Sequence, residues 1–489
     1  SPWVRIPPSP PSKSNQCQAV LLVFYIMKHH QKTAKYPWWL RLYILPAWFV
    51  YGTAFALFFV CGLGIIDPDF GWHLAAGQYY WAHGIPTHDI FTFSAQHFPW
   101  INHEWFSDMV LAAVYHLGGH VLVALLYTAM WTLAFWLVAR RCRLSIIVLV
   151  GAIACLPFAG VRAIAWTVLC AAVLYELFRA SRRTHWLIPF LMLVWANLHG
   201  GFIIGLAYIV YRLIARPSWR LAVITAASVL ATTVTPYGAA IYIEIIRTLG
   251  DRSLHGRISE WQSLAFSIEV ALLAAVWATC RYFYTRSVWR TVFAFPIFLI
   301  VGTVMSVRNV PILVIFAVAD IAHMMVAVPL PWARIRERLQ AIRPLMIALA
   351  LIVVSFGGYL LWRDFMLVRV VAESRYPREI AQSLQTGVCS NGNLYNDYNI
   401  GGYLIWRAPR QKVYIDGRMP SWQYGGVKLM DNYYRVVRDA SFRQREFARF
   451  HIVCTAVLTD TAFAKELRRN GWKPVVADSA GFTLLKTSE

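Results

Sequence analysis

Two aspartates, Asp67 and Asp69, stand two residues apart where a long apolar run ends in IDPDFGWHLAAG (66–77), and His73 follows four residues after the second. A carboxylate one helical turn from an imidazole can hold a metal ion or move a proton. The stretch running on to residue 108 adds His83, His88, Asp89, His97, His103, Glu104 and Asp108. Some of these residues have blander uses. Asp67 before Pro68 fits a helix cap, and Glu104 can satisfy the start of a second helix. Asp69 already has a cap residue before it and lies one turn from His73, so a role in chemistry is the reading for its carboxylate.

Three other points stand at the ends of apolar runs. Asn197-Leu198-His199-Gly200-Gly201 separates two short ones, and Arg162 follows Ala159-Gly160-Val161. Arg308 sits in Ser306-Val307-Arg308-Asn309-Val310-Pro311, with no acidic residue near it in sequence. An arginine at such a place can snorkel into lipid headgroups. In a cavity, its guanidinium fork would instead suit a phosphate.

Elements that could position these side chains follow from composition. The chain has 489 residues, 58% of them hydrophobic and only 14% charged, so lipid must solvate most of it. Lys and Arg number 46 against 24 Asp and Glu. The basic residues lie in short clusters between apolar runs, a pattern of membrane topology and not of nucleic-acid binding. Apolar runs fall near 42–66, 119–139, 144–160, 162–178, 186–198, 202–215, 221–235, 264–280, 291–307, 309–328 and 345–362. They predict a polytopic α-helical membrane protein with about eleven spans. Alternate loops carry the Arg clusters at 140–143, 179–183, 212–220, 281–290 and 334–343. The positive-inside rule places these in the cytoplasm, with Asp67, Asp69 and everything after residue 363 outside.

The first external loop, 66–118, is too polar to span. Its pattern predicts two helices lying along the interface, one ending at Gly84 and one running from His103 to Leu117. A third such segment follows TPYG (235–238) and ends in Ile258-Ser259-Glu260-Trp261. Residues 363–489 change character and predict a small extracytoplasmic α/β domain. Strands are expected at 394–406, 412–418 and 451–458, helices at 376–385, 429–448 and 461–470, and a hairpin at 473–486. Asp397, Tyr398, Asp416 and Arg418 are expected to be exposed there, as strand ends and turns or as contacts for an acceptor. Cys389 and Cys454 can pair in an oxidising compartment or remain two free thiols. Residues 1–26 read as a non-native or disordered extension, with Met27 the natural start. The domains are then 27–362, spanning the membrane, and 363–489.

An acidic first loop with interfacial helices, many spans and a soluble tail resembles the GT-C superfamily of membrane glycosyltransferases. IDPDFGWHLAAGQYYWAHG (66–84) is similar to the first-loop acidic motif of the oligosaccharyltransferase catalytic subunit, a relative of the protein O-mannosyltransferases. YNDYNIGGYLIWRAPRQKVYIDGR (395–418) is similar to that subunit's tail motif but lacks its double Trp, so peptide-acceptor recognition does not carry over. The series DPDFGWH, WINHEW (100–105), TPYG, ISEW, SVRNVP and GGYLIW…IDGR resembles bacterial GT-C-like proteins over most of residues 40–489.

The resemblance implies a polyprenyl-phosphate-linked sugar donor dissolved in the bilayer and an envelope glycan, lipid or protein as acceptor. Asp69 maps onto the family's acidic residue, with Asp67 as the alternate, and either deprotonates the acceptor or holds a divalent metal (Mg or Mn) with Glu104. His73 supports it, while Arg308, with His199 and Arg162, would bind the donor phosphate. The tail residues Asp397, Tyr398, Asp416 and Arg418 would face the acceptor. The enzyme would be integral to the inner membrane, its N-terminus cytoplasmic. A lipid-linked glycan flippase would need inverted halves and mid-membrane charges, which the sequence does not show. A non-catalytic envelope assembly protein would tolerate loss of Asp69.

Overall fold

The computed structural model describes residues 47–64, 67–142, 146–251, 253–258, 261, 268–327, 375–424 and 426–487. The expected extension at 1–26, the run at 345–362, and Ser259 and Glu260 of ISEW lie outside the described residues.

Apolar runs appear as helices: α1 (Ala47–Gly64), α4 (Ile146–Cys155), α5 (Ile164–Arg179), α6 (Ile188–Leu198), α7 (Phe202–Ala215) and α8 (Trp219–Thr232). Between α1 and α4 lie α2 (Phe70–His83) and α3 (Trp105–Ala139). After α8 come α9 (Ala240–Gly250), α10 (Leu254–Arg257), α11 (Ile268–Thr285), α12 (Val288–Val292), α13 (Phe295–Met305) and α14 (Val310–Ala327). Among the described residues, three helical stretches are long and apolar enough to cross a membrane: Ala47–Gly64, Trp105–Ala139 and Val307–Val326. Shorter apolar helices, such as Phe202–Ala215, pack around them. Large apolar side chains on the outer faces, among them Leu133, Ile214, Leu230, Phe298 and Val301, are exposed. Backbone groups satisfied within helices and apolar side chains turned outward suit a lipid solvent.

The helix expected to stop at Gly118-Gly119 changes direction there and continues as α3. Gly118 leaves helical geometry (φ −158, ψ 23) and Gly119 sits at φ 60, a positive value that a β-carbon disfavours. The break lets residues 105–117 lie against α2 while 120–139 join the bundle. α2 itself starts two residues later than the cap reading placed it. Asp69 occupies the N-cap without a side-chain cap bond, while Asp67 Oδ1 accepts from the Asp69 amide at 2.9 Å.

In the tail, α15 (Arg378–Gln385), α16 (Gly401–Arg407), α17 (Leu429–Arg438), α18 (Ala440–Arg449) and α19 (Ala462–Arg469) surround a small sheet. Its strands are β1 (Asn393–Asn396), β4 (Ile452–Leu458), β5 (Lys473–Ala477) and β6 (Phe482–Lys486), ordered β1-β4-β6-β5. β1 and β4 are parallel and the other pairs antiparallel. β2 (Gln423–Tyr424) and β3 (Val427–Lys428) form a separate short hairpin. Cys389 and Cys454 are joined by a disulfide.

Two strand expectations fail. Of 394–406 only the start is strand. The Asp397 side chain then accepts from the Asn399 amide to open a 3-10 turn, and α16 follows. Segment 412–418 joins no ladder of the tail sheet, and Val413 instead bridges Thr92 of the first loop. Close packing is the reason. A β-carbon on Gly402 would strike the Pro68 carbonyl and one on Gly71 the Gly402 carbonyl, so the paired glycines let α16 lie flush on α2. Loop and tail thus share one core, in which Trp72, Tyr80, Phe98 and Trp100 pack with Tyr403, Ile415 and Trp422. Phe98 stacks on Trp422 with centroids 4.2 Å apart, a pair worth about 1 kcal/mol beyond the area it buries.

Candidate functional site

DPDFGWH, WINHEW and NLHGG, far apart in sequence, meet at one end of the bundle. His73, one turn into α2, places Nδ1 2.6 Å from Asp108 Oδ1 and Nε2 3.4 Å from Glu104 Oε2. The other Glu104 oxygen lies 3.3 Å from His199 Nε2 and 3.7 Å from His103 Nε2. Asn102 braces the group. Its side-chain amide donates to Asp108 (2.7 Å) and to the Tyr80 hydroxyl (2.8 Å), and its carbonyl accepts from the Glu104 amide. Trp105 Nε1 donates to Asn197 Oδ1 at 2.9 Å and ties the loop to NLHGG.

The His199 tautomer follows from its neighbours. The Gly201 amide, which can only donate, lies 2.9 Å from Nδ1. The Thr167 hydroxyl accepts from Trp195 Nε1 and lies 2.7 Å from the same nitrogen. Nδ1 is therefore an acceptor, which leaves the proton on Nε2, facing Glu104.

Burial would lower the His73 imidazole, but Asp108, Glu104 and Asp69 outweigh it and raise it to about 9. Burial likewise works to raise Glu104, yet His103, His73, His199 and Arg308 hold it at about 2. His199 is pushed the other way, to about 3, by burial and by the positive field of Arg308 and the other imidazoles. At neutral pH the centre is a buried carboxylate facing one imidazolium and a neutral imidazole.

Asp69 is half-buried, and its carboxylate lies against the backbone of Gly417, so it sits where the loop meets the tail. Asp67 pairs with Arg162, Oδ2 to Nε at 2.5 Å. Arg162, expected on a phosphate, is therefore already engaged by Asp67. Arg308 is half-buried, with its guanidinium 5.6 Å from the Trp261 ring centroid and near enough to depress Glu104.

Two tail residues expected on the surface are buried instead. Arg418 binds Asp416 through two bonds (2.8 and 2.7 Å) and Asp89 at 2.7 Å, within an enclosure of Trp72, Phe91, Trp100 and Trp422. Asp416 and Arg418 therefore fasten the tail to the first loop. Asp397 and Tyr398 are half-buried, Asp397 accepting from the Tyr433 hydroxyl at 3.4 Å.

Asp108 and His103, named with the other acids and imidazoles of the first loop, join the centre; Asn102 and Thr167 complete it without having been singled out. Asn102 stands inside WINHEW, which marked the segment, while Thr167 looks like an ordinary helix residue until the fold brings it in. Among the described residues, no three His, Cys, Asp or Glu side chains are placed to hold a metal ion. The Glu104 oxygens are occupied by imidazoles, so this donor set does not fit the expected ion, and the steps proposed below use only protein groups.

No family model matches the sequence, and no curated protein matches it. Solved structures do share its fold. The archaeal oligosaccharyltransferase AglB from Archaeoglobus fulgidus, in complex with an inhibitory peptide and a dolichol-phosphate, superposes with a TM-score of 0.50 at 11% identity, over 90% of this chain and 74% of that one. The same enzyme tethered to an acceptor peptide containing the NVT sequon gives 0.50 and 11%, over 91% and 75%. The chain thus shares the overall fold of that archaeal oligosaccharyltransferase. At this identity the likeness is one of architecture, so the chemistry has to be argued from this chain's own residues.

Proposed function

We propose that the protein is a membrane glycosyltransferase that moves a sugar from a polyprenyl-phosphate-linked donor to a hydroxyl-bearing envelope acceptor at the extracytoplasmic face. The observation that carries this reading is the convergence of Asp69, the His73–Glu104–His199 centre and Arg308 at one end of a GT-C fold, beneath the tail. The Cys389–Cys454 disulfide supports an oxidising location for that tail.

In the reaction, the Asp69 carboxylate takes the acceptor hydroxyl proton and the oxygen attacks C1 of the sugar. The bond from C1 to the phosphate oxygen breaks, and the polyprenyl phosphate leaves with its electron pair. Arg308 neutralises the charge that develops on that phosphate. Glu104 offsets the positive charge of His73 and keeps His199 in its Nε2–H form, so the wall of the site stays ordered. Asp67, paired with Arg162, holds the start of α2.

The test is donor consumption by the purified protein in nanodiscs containing undecaprenyl-phosphate-linked hexoses, with an envelope extract as acceptor. Release of undecaprenyl phosphate that depends on both extract and Asp69 supports the reading. Donor crossing the bilayer unhydrolysed would favour the flippase, and full function of the Asp69→Asn protein in cells would favour an assembly role.

A further inference from the structure

Between α10 and α17 lies a cavity of about 630 Å³ lined by Arg257, Val427, Asp431, Tyr434, Arg435 and Arg438. Its size falls in the range of sites for small ligands, roughly 300–1,000 Å³. Three guanidiniums face one carboxylate, and that carboxylate is taken: Asp431 pairs with Arg257 at 2.5 Å. Arg435 and Arg438 are exposed and form no ion pair among the described residues. Their guanidiniums rest on rings instead, Arg435 over Phe442 at 4.1 Å and Arg438 over Tyr434 at 5.4 Å. Arg257 lies over the same Tyr434 ring at 5.5 Å. Rings that hold the flat guanidiniums in place reduce the entropy lost when an oxyanion binds them.

Tyr433, beside Tyr434, reaches Asp397 through its hydroxyl. Arg257 stands four residues before Trp261, the ring that faces Arg308. Lys428, at the rim, binds Asp251 at 2.7 Å and fastens the two walls together.

We propose that this cavity binds a short glycan bearing carboxylate or phosphate groups, the chemical class of the acceptor; the acceptor role rests on the transferase reading, the binding site does not. Guanidinium forks match both kinds of oxyanion. A peptide fits less well, because recognition of an extended chain uses apolar pockets for alternate side chains, and Val427 is the one aliphatic residue of the lining.

Full-length protein in neutral-lipid nanodiscs is titrated calorimetrically with tetragalacturonate, mannose 6-phosphate, uncharged maltotetraose, inorganic phosphate and hexaglutamate. Tetragalacturonate or mannose 6-phosphate should bind, the better of the two telling carboxylate from phosphate. Arg435→Ala with Arg438→Ala should weaken that binding by at least ~10-fold, about 1.4 kcal/mol, at an unchanged melting temperature. Arg438→Glu alone should weaken it too, guarding against a double variant that folds poorly. Binding unaltered by these changes, absence of binding by either charged sugar, equal binding of maltotetraose or inorganic phosphate, or tighter binding of hexaglutamate would each overturn the proposal. The titration needs no donor, so a protein that binds the charged glycan here yet releases no undecaprenyl phosphate in the donor assay would sink the transferase reading and leave the binding site standing.

Discussion

The carboxylate of Asp69 lies directly on the backbone of Gly417, so that a β-carbon at 417 would occupy its space. The first-loop acid and the IDGR turn of the tail therefore form one surface, and either residue can be used to test the other. Asp69→Asn keeps the shape and removes the base, and turnover should fall at least ~100-fold, the low end for losing general-base catalysis. Gly417→Ala should displace the Asp69 carboxylate and lower turnover in the same direction with the charge still present. Asp67→Asn keeps the bond from the Asp69 amide but gives up the Arg162 ion pair, and should cost much less. Equal, mild losses for both asparagine variants in a donor-release assay would make the pair structural.

His73 sets an alkaline limit on stability. Its folded value of about 9 lies above its ordinary 6.5, so the contribution is complete below 6.5 and lost as pH rises through 9. His199 acts on the acid side: its folded value of about 3 is depressed, so stability is lost as pH falls from 6.5 toward 3. Thermal midpoints between pH 5 and 10 should be highest near neutrality. His73→Gln should flatten the limb between 6.5 and 9, and an unchanged limb would mean the imidazolium adds nothing.

Arg418 holds loop and tail together through two buried carboxylates. Arg418→Met leaves Asp89 and Asp416 uncompensated and should cost about 3–5 kcal/mol. Adding Asp89→Asn and Asp416→Asn removes the stranded charges and should recover much of the loss. Thermal unfolding of the single and triple variants measures both, and a triple variant no better than the single one would rule out charge as the cause.

The sequence made the helical bundle legible, because each apolar run in α3, α5 or α14 is itself the signal that lipid and a 3.6-residue period select. DPDFGWH and WINHEW were legible as chemistry by residue type alone. Segment 394–406 misled because its aromatic and aliphatic residues are of the kinds found in strands, while the deciding feature, close approach of Gly402 to Pro68, depends on the distant loop. Arg418 misled for a related reason. Its partner Asp416 stands two residues away, but Asp89 and the aromatic enclosure come from the first loop and from Trp422. Thr167 carried no local mark, since a threonine inside an apolar helix is ordinary and only the fold brings it to His199.

Arg308 gives the sharpest test of the donor side. It is half-buried beside a carboxylate already matched by imidazoles, and its charge depresses both His103 and His199. A guanidinium kept there serves an oxyanion better than it serves its protein neighbours. Arg308→Lys keeps the charge and loses the bidentate fork, and should raise the donor KM about 10-fold or more with acceptor KM little changed. Arg308→Ala should be worse, and His103 and His199 should titrate at higher pH once the nearby positive charge is gone. Histidine carbon shifts in NMR spectra across pH 3–8 follow that second effect without reference to turnover. If the arginine only snorkels to the headgroups, donor titrations of the lysine variant will overlay the wild type, and Arg308 leaves the site.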